Sequence, residues 1–154
     1  MAIGSLNRFR KLRGLLTGMR RRWLQWQTGV EIDPSASVSL SSRFLAGSPG
    51  GVKVGAESLI AFKTLLDARD FETGIVRPIS IGKRCFIGGS SMIMPGVTVG
   101  DESIVAAGAV VFDDVPPRSI VAGNPARVIR SDIKVGRFGR LDGADDNTRR
   151  LYRL

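Results

Sequence analysis

Aliphatic residues recur every six positions through the centre of the chain. Starting at Ile81, the steps land on Ile87, Ile93, Val99, Val105 and Val111 without a break. Four residues after each of these stands a small or medium side chain: Cys85, Ser91, Val97, Ser103, Ala109 and Val115. Gly82, Gly88 and Gly100 directly follow three of the anchors. The pattern also occurs upstream. Ile32 and Val38 carry Ala36 and Ser42 at the fourth following place, and Val54 and Ile60 carry Ser58 and Thr64. Leu66 continues that second register before it breaks. Ordinary alternating strands separated by turns would need to produce this run, and its matching small-residue column, by accident; a fixed period marks a repeat architecture instead.

Six residues suit one flat side of a triangular coil. The aliphatic anchor points inward and stacks on the anchors above and below. The small residue fits near the corner, where a large side chain would clash, and glycine serves turns that call for a positive φ. Backbone groups pair with the neighbouring coils, so short strands are satisfied without a conventional sheet. The predicted fold is all-β, a β-helix of hexapeptide repeats over residues 30–130. It is preceded by a basic helical segment, 1–29, and followed by a short polar tail, 131–154.

Two register breaks interrupt the wall. Residues 45–51 (Leu-Ala-Gly-Ser-Pro-Gly-Gly) read as a turn-rich insertion. Residues 67–78 leave the wall as a loop, with four charges between Asp67 and Glu72. A loop on a rigid scaffold is either a solvated excursion or a place where function resides.

At the N-terminus the spacing changes. Phe9, Leu12, Leu16, Met19, Trp23 and Trp26 step by three and four, one apolar stripe of a helix with arginines on its other faces. Two roles compete for residues 5–26. The stripe can pack on the β-helix as the end cap that solenoids need, which is the preferred reading. Alternatively, it can lie on an anionic membrane surface, where tryptophan at the end of a cationic stripe is well placed. Charge sharpens the choice. Of the net +9, residues 1–30 supply +7, with seven bases and no acid, whereas the remainder is nearly balanced. The basic segment seeks an anionic partner. Nucleic acid is disfavoured, because no recognition motif accompanies the charge.

The other bounds are simple. A chain of 154 residues, 43% of them hydrophobic, can bury a sizeable core, and 19 glycines with few aromatics fit a turn-rich β protein. No apolar run approaches the roughly 18 residues that cross a bilayer. No signal-peptide pattern follows the basic start, and a lone Cys85 fits a reducing compartment, so the expected location is cytoplasmic, with a possible peripheral place at the inner face of the membrane. Cys85, in the small inward column, reads as packing rather than as a nucleophile.

The stretch Arg77–Arg130, "RPISIGKRCFIGGSSMIMPGVTVGDESIVAAGAVVFDDVPPRSIVAGNPARVIR", resembles the bacterial hexapeptide-repeat acyltransferases, in particular the sugar and polysaccharide O-acetyltransferases. The ending Val121–Arg130 is a strong signature, and with the weaker repeats from Ile32 the likeness covers about two thirds of the chain. The resemblance implies a left-handed parallel β-helix, a homotrimer and active sites between subunits, with acetyl-CoA lying in the groove between two β-helices. By the same resemblance, Phe86 stands where the family usually has Trp beside cofactor or acceptor. Gly89 and Ala107 offer backbone groups to the pantetheine arm. Arg127 and Arg130 lie near the nucleotide phosphates, a role that guanidinium forks suit. Asp113 departs from the pattern, in a place often filled by Lys.

The family's usual catalytic base is a histidine in or beside the long loop, and this chain contains no histidine. Asp67 and Arg69 stand where histidines are expected, which makes Asp67 the candidate base. An acceptor hydroxyl attacking a thioester must lose its proton, and imidazole titrates near neutral pH. An exposed aspartate, with a reference pKa of about 3.9, is a poor base at pH 7, and burial raises it. The resemblance therefore implies an acyl-CoA-dependent transferase moving an acetyl or similar group to a sugar or polysaccharide hydroxyl, with no metal. The alternatives are transfer to an amino sugar and a non-catalytic trimeric scaffold that has lost the base. The absence of histidine also counts against a three-histidine zinc site.

Overall fold

A computed structural model describes residues 18, 19, 22, 23 and 25–142. Phe9, Leu12 and Leu16 of the apolar stripe, all the N-terminal bases except Arg22, and the tail beyond residue 142 lie outside the described residues.

The chain winds as a left-handed parallel β-helix with three flat sides. The first coil contributes β1 (Glu31–Ile32), β2 (Ser37–Val38) and β3 (Arg43–Leu45). The second contributes β4 (Val52–Val54), β5 (Leu59–Ile60) and β6 (Leu65–Asp67), and the third β7 (Ile79–Ile81), β8 (Phe86–Ile87) and β9 (Met92–Ile93). The fourth holds β10 (Thr98–Val99), β11 (Ile104–Val105) and β12 (Val110–Val111). A last side strand, β13 (Ile120–Gly123), turns through a cis Asn124–Pro125 bond into β14 (Ala126–Arg130), which runs back antiparallel beside it. The three sides are the stacks β1-β4-β7-β10, β2-β5-β8-β11-β13-β14 and β3-β6-β9-β12, and every pairing but the last is parallel.

The six-residue anchors become three inward columns. Ile32, Val54, Ile81 and Val99 stack on the first side; Val38, Ile60, Ile87, Val105 and Val121 on the second; Phe44, Leu66, Ile93 and Val111 on the third. All are buried. Burying an aliphatic side chain of this size contributes about 1.5–3 kcal/mol against the entropy of ordering the chain. The small column is buried as well, from Ser42 through Cys85 to Val115. Three of its hydroxyls, those of Ser58, Thr64 and Ser103, bridge successive coils. Ser58 Oγ donates to Gly82 O at 2.7 Å and accepts from Cys85 N–H at 2.9 Å, and Ser103 Oγ donates to Pro116 O at 2.7 Å. Each hydroxyl is thereby spared the roughly 1–3 kcal/mol cost of an unmet buried polar group.

The glycines act differently from the expectation. Gly82, Gly88 and Gly100 do not adopt positive φ. They are needed for close approach: a Cβ on Gly88 would come within 2.5 Å of Ala107 N, and one on Gly100 within 2.5 Å of Pro117 N. The left-handed conformation falls three corner positions earlier than the next anchor, just before each small residue. There it is held by Glu57, Lys63, Arg84, Ser90, Glu102 and Arg118, and by glycine at Gly96 and Gly108. Coil pairing over-determines these corners and absorbs the cost of roughly 1–2 kcal/mol that an L side chain carries there.

Both ends depart from the sequence reading. Residues 25–28 are helical, and Gln25 donates from Nε2 to Ile32 O at 3.2 Å, but the described part of the apolar stripe does not cap the core. Met19 is 60% exposed, Trp23 53% and Trp26 85%. At the other end the tail returns along the corner between the first two sides. Ile133 is buried, with its N–H on Arg118 O at 3.1 Å, and Phe138 N–H reaches Glu57 O at 2.8 Å.

Candidate functional site

The corner between the second and third sides brings the two predicted backbone positions together. Gly89 and Ala107 occupy it on successive coils, with Gly108 N–H on Gly89 O at 2.9 Å. One coil above, Phe62 O accepts from Ser90 N–H at 2.9 Å. One coil below, Val121 O accepts from Ala106 N–H at 2.9 Å, which sets the Gly123–Ala126 turn on the same edge. The result is a line of small residues and backbone along the helix axis, with coils about 4.8 Å apart. Phe62 covers its upper end: a Cβ added to Gly89 would lie 2.7 Å from the tip of the phenyl ring.

The lower end carries charge. Arg127 and Arg130 stand on β14, both exposed. Arg127 Nη1 lies 3.4 Å from Asp113 Oδ2 and 2.9 Å from Ala126 O. The acid at the departing position is thus beside the very guanidinium expected to meet phosphate.

Phe86 sits apart from this line, on the outward face of the second side, in register with Leu59 and Ile104. The returning tail covers it. A Cβ on Gly139 would fall 2.6 Å from Phe86 Cβ, and Gly139 takes φ +64 in the turn Arg137–Gly139. Sequence reasoning missed this contact because the tail offers no periodicity; buried Ile133 and the glycines at 136 and 139 are its only signals.

Asp67 closes β6 and is 1% exposed. Leu66 points inward, and Asp67, on the alternate side, accepts the Arg69 N–H on Oδ1 at 3.0 Å, with Arg69 Nε 3.7 Å from the same oxygen. The carboxylate therefore starts the loop as well as facing Arg69. The excursion that follows is ordered as a hairpin, with Arg69 bridged to Val76 and Arg77 N–H on Ala68 O at 2.7 Å. Asp70 Oδ1 accepts the Glu72 and Thr73 N–H groups, each at 3.0 Å, and the Thr73 and Glu72 bonds hold its carboxyl below the ordinary value. Phe71 and Ile75 are exposed at the tip. Within one chain Asp67 and Gly89 lie at opposite ends of the third side, since Asp67 ends β6 whereas Gly89 precedes β9.

Cys85 is buried in the corner column, with Sγ on Gly100 O at 3.2 Å, and burial pushes its thiol up. A thiol so placed is a packing group, not a nucleophile.

Comparison with known proteins agrees with this architecture. Residues 78–113 match the family described as the hexapeptide repeat of succinyl-transferase. Over 53 residues the chain is 51% identical to galactoside O-acetyltransferase of Escherichia coli strain K12, covering 34% of this chain and 26% of that protein. A hexapeptide-repeat-containing acetyltransferase from Vibrio cholerae O1 biovar eltor, solved with acetyl coenzyme A, superposes with a TM-score of 0.61 at 33% identity, covering 68% of this chain and 61% of that one. A galactoside acetyltransferase solved with coenzyme A superposes at 0.56 and 25%, covering 78% and 79%. The chain spans about a quarter of the length of the curated relatives it matches.

Proposed function

We propose that this chain, a hexapeptide-repeat protein built like the acetyltransferases to which it is similar, transfers an acetyl group from acetyl-CoA to a hydroxyl of a sugar or polysaccharide. The observation that carries the reading is the corner line from Gly89 through Ala107 to the Gly123–Ala126 turn, with Arg127 next to that turn and Arg130 farther along β14, opposite Ile120. Acyl-CoA supplies the activated thioester. Small residues along the edge let an extended pantetheine arm approach the backbone, Arg127 neutralises phosphate at the lower end, and Arg130 adds a second cation farther along β14. On this reading the thioester carbonyl lies beside Gly89.

Asp67 is the group proposed to take the acceptor proton. As the hydroxyl oxygen forms its bond to the thioester carbon, its proton passes to the carboxylate; the carbon–sulfur bond breaks, and the proton leaves with the thiolate as CoA thiol. Arg69 orients the carboxylate from one side. Because Asp67 and Gly89 are at opposite ends of one side in a single chain, the reading places the reaction between two copies, in a homotrimer. The test is direct: incubation with acetyl-CoA and a panel of sugars, amino sugars and glycans, with released thiol measured and products identified. An acetyl ester supports the reading, an amide moves it to an amino sugar, and no thiol release with any acceptor favours a scaffold. Light scattering that gives a monomer would remove the shared site.

A cytoplasmic protein held at the membrane's inner face is the accompanying proposal. Met19, Trp23 and Trp26 are exposed on a segment with seven bases, and no described helix is long and apolar enough to cross a membrane. Full-length protein should co-sediment with anionic vesicles at low salt and be released as salt screens the charge. Failure to co-sediment at low salt would sink it.

A further inference from the structure

Phe62 has no part in the fold that its size requires. It is 59% exposed at a corner, although it sits between the buried Ile60 and Thr64. Its ring does not turn into the core but extends along the axis onto Gly89, close enough that a Cβ there would lie 2.7 Å from Cζ and 2.8 Å from Cε1. The next coils at this corner carry Gly89 and Ala107, so no comparable side chain follows along the edge. The ring is therefore a wall across one end of an otherwise small-residue line.

We infer that Phe62 sets the length of the acyl group. The inference rests on the acyl-CoA reading above. With the phosphates held at the Arg127 end, the arm can run only toward Gly89, and its acyl group then meets the underside of the ring. Two carbons end before the ring; each further methylene would have to displace it or leave the edge. A flat apolar ring also suits a methyl group and offers no hydrogen bond to a longer polar acyl chain. The selectivity is for short apolar acyl groups, acetyl above all.

The experiment uses full-length protein and measures binding of acetyl-, butanoyl- and hexanoyl-CoA by titration calorimetry, for wild type, Phe62→Ala and Phe62→Leu. Wild type should bind acetyl-CoA at least about tenfold more tightly than hexanoyl-CoA, since two or more methylenes with no room cost that much or more. Phe62→Ala should reduce this ratio about tenfold or more, and Phe62→Leu should fall between. Circular dichroism checks folding, which an exposed residue should leave intact. An unchanged ratio in Phe62→Ala, with acetyl-CoA still bound, overturns the inference alone. Equal loss of all three ligands also overturns it, because the ring would then be a general contact. If wild type binds no acyl-CoA, the acyl-CoA reading falls first, and the inference falls with it.

Discussion

Arg127 spends its guanidinium on Asp113, with Nη1 3.4 Å from Oδ2. Both side chains are exposed, so the pair itself is worth only about 0–1 kcal/mol. On the proposed acyl-CoA reading its cost falls on phosphate, which meets a cation already half-compensated. Asp113→Asn should therefore tighten CoA binding by up to about fivefold, the equivalent of about 1 kcal/mol. Asp113→Lys should tighten it further, and both gains should shrink at high salt. Calorimetry against salt concentration reads this out; no change with either substitution would detach the nucleotide end from Arg127.

Asp67 starts the loop and is the proposed base, and two substitutions separate the two roles. Asp67→Asn keeps an oxygen for the Arg69 N–H but removes the base. Turnover should fall by about 10²–10⁴ with little change in the melting temperature. Asp67→Ala also removes the acceptor that starts the loop, and should cost a further 1–3 kcal/mol or so of stability. Equal turnover in Asp67→Asn and wild type would leave Asp67 with the loop alone.

Cys85 should be chemically silent in the folded protein. It is buried, and burial raises its thiol, so the thiolate is scarce and shielded. An aromatic disulfide reagent should react with one thiol per chain in denaturant and with almost none in buffer at neutral pH. Rapid reaction in buffer would show that this corner opens.

The loop hairpin should depend on the charge of Asp70. Its carboxyl is held below the ordinary value of 3.8 by the Thr73 and Glu72 N–H bonds, helped by Arg77. A depressed folded-state pKa means that the stabilisation is complete above the ordinary carboxylate range and is lost as pH falls through the lowered value. Amide exchange at residues 70–76 should therefore be slow at neutral pH relative to the intrinsic rate and lose protection in acid. Asp70→Ala should lose it at neutral pH, with chymotrypsin then cutting after Phe71. Undiminished protection in that variant would refute the role.

Much of the wall was legible because its signal is repeated. Ile81 through Val111 fall into register because each anchor must meet another anchor one coil away, and Cys85 through Val115 stay small because the corner has no room. The corners' left-handed residues were illegible: nothing in Glu57, Arg84 or Glu102 marks a positive φ, which tertiary pairing imposes. Of the candidate site, the repeat made legible that Gly89 and Ala107 share one corner on successive coils. It was obscure where one side chain answers another far away in sequence, as Phe62 does over Gly89, Asp113 beside Arg127, and the tail on Phe86.

The reversal at Asn124–Pro125 bears on how far such a solenoid can grow. A parallel stack that simply stopped would expose a row of unpaired amides and carbonyls in register for the first coil of another copy. β14 occupies that row on the second side, pointing the opposite way, and presents Arg127 and Arg130 to an approaching chain that is itself basic. On the second side, end-to-end addition of another copy is thus opposed by strand direction and by like charge. Removing the hairpin after Gly123 should convert a discrete assembly into one that lengthens with concentration.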